Sequence, residues 1–159
     1  MKKRKISFLT YAAMIAALYV LLTALSWLFG LDKGAVQFRI SEMLTILPYF
    51  TPAAIPGLFA GCLLSNIFVG APIWDIIFGS IATLLGAIFT RKLRAYPVLA
   101  TIPPILSNAL IIPFVLHFAY GIPGSIPYFM LTVGLGEVIS CGVLGLILYS
   151  VIKKHPIFK

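Results

Sequence analysis

The stretch VQFRISEMLTILPYF, residues 36–50, sets Arg39 and Glu42 three positions apart inside an otherwise apolar run. Charged side chains are scarce elsewhere, because the 159-residue chain has only 12 basic and 4 acidic residues. Hydrophobic residues make up 61% of the sequence, which leaves too little charged surface for a soluble domain of this size. The sequence therefore indicates an integral membrane protein in which these two charges need an explanation.

Five apolar windows are long enough to cross the ~30 Å hydrocarbon core of a bilayer, which takes about 20 helical residues. They run over residues 7–29, 52–70, 73–90, 98–119 and 128–152. The first belongs to an apolar run too long for the core of a signal peptide, so we expect it to be retained.

Clusters of Lys and Arg in membrane proteins remain cytoplasmic, and here they lie at 2–5, 91–94 and 153–154. Five spans would put the middle cluster outside the cell. A further crossing by residues 38–50, as a short helix ending at Pro48, places all three clusters inside. We therefore predict an all-α integral membrane protein, a six-transmembrane-helix bundle with both termini cytoplasmic and a single membrane domain over residues 1–159.

This topology also sorts the aromatic and charged side chains. Tyr and Trp prefer the two membrane interfaces. In this topology only Tyr19 lies away from a predicted interface. The four acidic residues all fall in the outer half or at the outer surface: Asp32, Glu42, Asp75 and Glu137. The net charge of +8 then reports orientation and attraction to anionic lipids, and we expect no nucleic-acid partner.

Glu137 lies about nine residues into the last predicted helix, roughly 13 Å deep at ~1.5 Å per residue. Glycines at 134, 136 and 142 would let another helix or a planar ligand come close. One reading is a protonated glutamate that is hydrogen-bonded between helices. The expected reading is a carboxylate facing a water-accessible cavity, since acids inside membranes are seldom retained for packing alone.

Three further polar residues allow two readings each. Asn108 lies near mid-depth among prolines that leave backbone carbonyls free, which is tolerated beside a cavity or a neighbouring helix. Asn66 can make an interhelical hydrogen bond or contact a ligand. Asp75 can cap the start of its helix or contact a ligand.

Arg39 and Glu42 share a helical face, so a mutual ion pair is the simplest interpretation. Their level in the membrane nevertheless matches that of Asn66, Asp75 and Glu137. One pocket near the outer side would explain all five residues together.

Catalytic and cofactor motifs are missing. The sequence has no GxxxxGK[ST] phosphate loop, no HExxH, no paired intramembrane aspartates and no Ser–His or Ser–Lys dyad at matched depth. We therefore expect a protein that is not an enzyme and binds no metal or cofactor, with Cys62 and Cys141 as packing residues. Six helices with one pocket and no inverted repeat favour a binding subunit driven by partners over a stand-alone transporter.

Five stretches in chain order resemble the queuosine-precursor transporter family: QFRISEMLTILPYF, PGLFAGCLLSNIFVG, WDIIFGSIATLLGAIFT, PPILSNALIIP and GLGEVISCGVLG. That family consists of six-helix substrate-binding subunits (S components) of energy-coupling-factor (ECF) transporters. The resemblance implies a multi-pass protein of the bacterial plasma membrane that captures a queuosine precursor outside the cell. It also implies docking on a transmembrane coupling subunit driven by two cytoplasmic ATPases, which use the ATP.

The resemblance gives the acidic residues a chemical role. A 7-deazaguanine such as 7-aminomethyl-7-deazaguanine or queuine presents a donor edge, which a carboxylate accepts in a bidentate arrangement. Glu137 is the expected acceptor. Glu42 or Asp75 would be the counter-charge for an aminomethyl group.

Other residues receive roles from the same resemblance. Asn66 and Asn108 would contact the base carbonyl and ring atoms, and Trp74 would either stack on the ring or anchor the interface. Arg39 would orient Glu42 or donate to the base carbonyl. A loop between the first two helices would cover the ligand. Small-residue pairs on the first helix match the family's docking motif, although internal helix packing is the alternative: Ala12 with Ala16, and Ala13 with Ala17.

Two other functions stay open from the residues. One is an S component for another vitamin or nucleobase, since pocket shape decides specificity. The other is a structural or regulatory membrane protein whose buried polar groups lock the helices together.

Overall fold

The computed structural model describes residues 2–31 and 38–154, with side chains from residue 7 onward. Helices are the only regular secondary structure in that part of the chain. In chain order they are α1 (Lys2–Leu28), a 3₁₀ helix (Ile40–Tyr49), α2 (Ala54–Phe68), α3 (Ile73–Lys92), a 3₁₀ turn (Leu99–Thr101), α4 (Ile102–Phe118), α5 (Ile126–Glu137), a π-helix (Val138–Leu144) and α6 (Gly145–Lys153).

Contacts at the helix ends show that successive segments alternate in direction. Arg39, just before the 3₁₀ helix, meets Asn66 near the end of α2 and Asp75 at the start of α3. At the opposite end of the bundle, Arg91 of α3 donates to the carbonyl oxygen of Tyr49. With the 3₁₀ turn counted as part of α4, and with α5, the π-helix and α6 taken as one continuous segment, the described residues form six helical segments that run up and down.

Four of these segments are long and apolar enough to cross a membrane: Ser7–Leu28, Ile73–Lys92, Leu99–Phe118 and Ile126–Lys153. The apolar α2 has 15 residues, and the 3₁₀ helix has 10, which cover roughly 20 Å at ~2.0 Å per residue. The predicted all-helical membrane bundle is therefore confirmed. Six complete crossings and the orientation of the termini stay predictions.

The 3₁₀ helix is the buried centre of the bundle. It packs against α1, α2, α3, the π-helix and α6, and seven of its ten residues are buried. Its Leu44 and Leu47 join the hydrophobic core with residues of α1 and α2. A 3₁₀ helix repeats every three residues, so Glu42 and Thr45 lie along one face, and Arg39 directly precedes the helix in an extended conformation. A 3₁₀ helix of ten residues is uncommon, which indicates that contacts with the surrounding helices stabilise this segment.

Helices α1 and α2 approach closely because α2 has glycines at the contact. A Cβ atom at Gly61 would lie 2.7 Å from Tyr19 Cβ and 3.1 Å from Ala16 Cα. A Cβ atom at Gly57 would lie 2.7 Å from the carbonyl oxygen of Ala12. The missing side chains thus allow the backbones to pack directly against each other.

The four alanines of α1 that match the docking motif have two different surroundings. Ala16 is buried against α2 and Ala12 is half-buried there, so this pair packs within the bundle, and its predicted role in docking is not supported. Ala13 and Ala17 are exposed on the outside of α1. Docking of a partner on that outer face stays a prediction.

At the end of the bundle away from Arg39, polar contacts satisfy the last backbone groups of the 3₁₀ helix. Arg91 Nη1 donates to the carbonyl oxygens of Pro48 and Tyr49, each at 3.1 Å. These carbonyls end the 3₁₀ helix and have no partner within it, so the arginine satisfies them. Tyr49 also packs edge-on against Tyr149 of α6, with ring centroids 5.0 Å apart.

The close approach of α1 and α2 predicts different effects on stability for two glycine substitutions. Gly61→Ala forces a methyl group into the α1 backbone, and overpacking of this kind costs about 1–3 kcal/mol. Gly134→Ala is the matched control, because its new methyl would meet only Ala109 Cβ at 3.7 Å, an ordinary contact. Thermal melting of the detergent-purified proteins should be lowered by the first change alone, and equal melting temperatures would contradict this packing.

Candidate ligand-binding site

A narrow cavity lies between the 3₁₀ helix and α2 to α5. The centre of a water molecule has about 20 Å³ in which to move there, so a larger ligand requires the walls to separate. The lining combines charged, amide, thiol and apolar side chains: Arg39, Glu42, Cys62, Gly79, Thr83, Asn108, Ile112, Val133 and Glu137. Four residues singled out from the sequence therefore meet around this space, namely Arg39, Glu42, Asn108 and Glu137.

Arg39 is held by side chains of α2 and α3. Its Nη1 donates to Asn66 Oδ1 at 3.1 Å, and its Nη2 lies 3.6 Å from Asp75 Oδ2 in an ion pair. Asn66 Nδ2 donates to the main-chain carbonyl of Asp75 at 3.2 Å, and Tyr120 Oη donates to Asp75 Oδ2 at 2.7 Å. The ion pair that the sequence suggested between Arg39 and Glu42 is thus replaced by one between Arg39 and Asp75.

This network also identifies how Asn66 and Asp75 contribute. Neither residue lines the cavity, although both are at least 96% buried and adjoin it through Arg39. The Asp75 side chain lies in the first turn of α3 and contacts Arg39 and Tyr120. A Cβ atom at Gly79 would lie 3.0 Å from Asp75 Oδ1 and 3.1 Å from Asn66 Nδ2, so the glycine leaves room for the network.

Glu42 is 2% exposed and lines the cavity. Its Oε1 accepts a hydrogen bond from Tyr19 Oη of α1. Its Oε2 is buried and has no hydrogen-bond partner among residues 2–31 and 38–154. A buried carboxylate oxygen without a hydrogen-bond donor is energetically unfavourable. A hydrogen bond from a ligand or a water molecule would therefore stabilise this atom.

Glu137 faces the same space from the end of α5. The thiol of Cys141 donates to Glu137 Oε2 at 3.0 Å, and Thr45 Oγ1 donates to Cys141 Sγ at 3.3 Å. One carboxylate oxygen of Glu42, one carboxylate oxygen of Glu137 and the Sγ atom of Cys141 all lie within 4.8 Å of one another. The π-helix that begins directly after Glu137 carries Cys141, and such widened turns are frequent at functional sites.

Asn108 and Trp74 have different positions relative to this cavity. Asn108 is 4% exposed and lines the wall formed by α4. Trp74 is 55% exposed and stacks on Phe78, with ring centroids 6.0 Å apart, along an apolar groove between α3 and α4. Trp74 therefore lies outside the cavity, and the predicted stacking on a ligand is not supported there.

Several residues of the site carried no strong signal in the sequence. Gly79 and Thr83 follow Asp75 at helical spacings of four residues, which places them on its face of α3. Cys62 and Cys141, expected to be packing residues, adjoin the cavity and the Glu137 carboxylate respectively. Tyr19 was detectable only as an aromatic residue that does not fit an interfacial position.

The predicted loop over the ligand falls largely on residues 32–37, which include Asp32 and Lys33 and lie outside the described residues.

The charged groups of the described part define the electrostatics of the site. Arg39 and Asp75 form an ion pair, which leaves the carboxyl groups of Glu42 and Glu137 facing the cavity. The site therefore offers acceptors to a ligand that carries N–H donors or a positive charge.

Sequence comparison places the cavity in a family context. A sequence model of the QueT transporter family matches residues 9–154. This chain belongs to the QueT transporter family. The resemblance drawn from the sequence is thereby confirmed, and membership in a family of transporters fits the absence of catalytic motifs.

One relative is the queuosine precursor transporter QueT of Lactococcus lactis subsp. cremoris (strain MG1363). The two sequences are 39% identical over 85 residues, which is 54% of this chain and 50% of the relative. The matched part thus spans about half the length of that relative. No solved structure matches this chain.

Asp75 gives a test of the network behind the cavity. Asp75→Asn keeps the shape of the side chain but leaves Arg39 without its counter-charge, and loss of one partner of a buried pair costs roughly 3 kcal/mol or more. We expect a clear fall in the melting temperature of the purified protein. The control Trp74→Leu alters the neighbouring residue outside the network and should melt close to the wild type; the same melting temperature for both variants would refute the role of the pair.

Proposed function

We propose that this protein is the substrate-binding membrane subunit of an ECF-type importer and captures a queuosine precursor, a 7-deazaguanine, for ATP-driven uptake. The observation that carries the proposal is the pair of buried carboxyl groups, Glu42 and Glu137, at one cavity of a QueT-family chain. The free Oε2 atom of Glu42 is the part of the site that most needs a donor. The Lactococcus lactis relative, a queuosine precursor transporter, supports the same substrate class.

The chemistry of a 7-deazaguanine complements this cavity. Its ring N–H and exocyclic amine form a donor edge that Glu137 accepts with both oxygens, a charge-assisted bidentate contact. Glu42 Oε2 then accepts from an aminomethyl group or another donor of the ligand. Asn108 both donates and accepts, which suits the base carbonyl and remaining ring atoms.

Arg39 acts on the ligand from the wall of the cavity. Asn66 and Asp75 hold its guanidinium through a hydrogen bond and an ion pair. They therefore contribute by orienting Arg39, which leaves Glu42 as the favoured counter-charge for a cationic ligand. Asp75 is the less suitable partner because it already pairs with Arg39 and accepts from Tyr120.

Ligand entry requires the cavity to widen. The room available to a water molecule, about 20 Å³, is too small for a bicyclic base. One wall belongs to the 3₁₀ helix, whose hydrogen-bond geometry is weaker than that of an α-helix. We expect this segment to move when the ligand binds.

Transport needs the rest of the assembly. In this proposal the chain crosses the bacterial plasma membrane six times as a single domain, with both termini cytoplasmic, and takes up ligand from outside. It docks on the coupling subunit through the outer face of α1 at Ala13 and Ala17. Two partner ATPases use ATP while the subunit tilts to deliver the ligand inward, and the chain itself binds no metal or cofactor.

The first test is calorimetry on the purified, detergent-solubilised protein with four compounds: 7-aminomethyl-7-deazaguanine, its nitrile precursor, queuine and guanine. We expect selective binding of a deazaguanine. Glu137→Gln should weaken it at least tenfold with the fold retained, because a hydrogen bond to a charged group contributes about 1.5–3 kcal/mol.

Trp74→Leu is the matched control, since it lies outside the cavity and should bind as the wild type does. No binding by folded wild type would overturn the substrate assignment and leave other vitamins or nucleobases to be tested. Loss of folded protein in Glu137→Gln would instead favour a structural lock. Uptake into vesicles that requires the coupling subunit, both ATPases and ATP would test the transport step.

A further inference from the structure

Tyr19 is fully buried in α1 and directs its hydroxyl group to the cavity wall. The hydroxyl donates to Glu42 Oε1, and the Tyr19 Cβ atom lies against Gly61 of α2. An interfacial tyrosine would have its ring at the membrane surface, whereas this one is 0% exposed. Its position is explained by the carboxylate that it contacts.

Tyr19 belongs to a row of hydroxyl groups on α1, at the helical spacing of four and three residues. Thr23 Oγ1 donates to Ser41 Oγ at 2.8 Å, and Ser26 Oγ accepts from the main-chain nitrogen of Ile40 at 2.9 Å. Tyr19, Thr23 and Ser26 are each at most 2% exposed. This hydroxyl row ties α1 to the 3₁₀ helix, and Tyr19 is the member that contacts a carboxylate lining the cavity.

We propose that Tyr19 is a positioning residue that holds the Glu42 carboxylate so that its Oε2 atom faces the ligand. The inference rests on the proposed function, because Glu42 is taken as an acceptor for the ligand. Tyr19 acts through Glu42 and need not touch the ligand itself.

The charges around Glu42 explain why such a holder is needed. Arg39 directly precedes the 3₁₀ helix, three positions before Glu42, and lines the same cavity, so the opposite charges of the two side chains attract each other. Without the Tyr19 hydroxyl, the Glu42 carboxylate is free to turn toward the guanidinium of Arg39. That turn would remove an acceptor from the ligand and weaken the pairing of Arg39 with Asp75.

Tyr19→Phe removes only the hydroxyl group and should weaken deazaguanine binding about 10- to 100-fold, the equivalent of one hydrogen bond to a charged group. Thr23→Val is the matched control. It removes a buried hydroxyl of the same row that bonds to Ser41 Oγ and to the main-chain carbonyl of Tyr19 instead of to a carboxylate, so it should lower the melting temperature but change affinity less than about threefold. Equal affinities of the two variants would refute the positioning role.

A double-mutant cycle separates positioning from a general structural role. If Tyr19 acts through Glu42, then Tyr19→Phe should change affinity little in a Glu42→Ala background, whereas independent effects would multiply. Multiplying losses in that background would overturn the inference.

A spectroscopic measurement covers the case in which Glu42→Ala does not fold. In wild type labelled with ¹³C-tyrosine, the Tyr19 resonance is identified by its loss in Tyr19→Phe and should shift when the deazaguanine saturates the site. A Tyr19 resonance unmoved at saturation would also refute the inference. Failure of the wild type to bind any of the four compounds would instead refute the proposed function on which it rests.

Discussion

The structure depends on placing a charged 3₁₀ helix at the centre of an apolar bundle. Glu42 lies within this segment and Arg39 directly precedes it, and a charge in such surroundings is costly unless it is paired and hydrogen-bonded. Asp75 and Asn66 satisfy Arg39, while Tyr19 satisfies one oxygen of Glu42. These contacts draw α1, α2 and α3 around the segment, so the same charges organise the packing and define the cavity.

The short length of the central segment follows from this arrangement. Ten residues in a 3₁₀ helix cover less than a bilayer, and Arg91 satisfies the carbonyls at its end. A segment held by side chains from its neighbours, more than by its own hydrogen bonds, can adjust when those contacts change. The π-helix directly after Glu137 packs against this segment. The narrow cavity therefore has at least one wall that can adjust when a ligand enters.

Much of the helical pattern was predictable, because a bilayer imposes simple demands on length and polarity. The predicted segments at 73–90 and 98–119 correspond to helices Ile73–Lys92 and Leu99–Phe118. The segment at 38–50 was inferred from the basic residues and is helical, although of the 3₁₀ type. The alanines of α1 were harder to interpret, because small residues at four-residue spacing serve internal and external contacts equally well. Ala16 turned out to pack on α2, and Ala13 remained exposed.

The sequence by itself determined that the chain is an apolar helical protein, which residues carry charge within it, and which family it belongs to. Composition and order along the chain are enough for these conclusions. Only the tertiary structure decided the partners of these charges. Arg39 forms an ion pair with Asp75 instead of Glu42, and Glu42 accepts a hydrogen bond from Tyr19. Spacing along a chain constrains neighbours on one helix, whereas partners on different helices depend on how the helices rotate and pack. For the same reason Trp74 lies outside the cavity, while Tyr19, which is far from Glu42 in the sequence, donates a hydrogen bond to the Glu42 carboxylate.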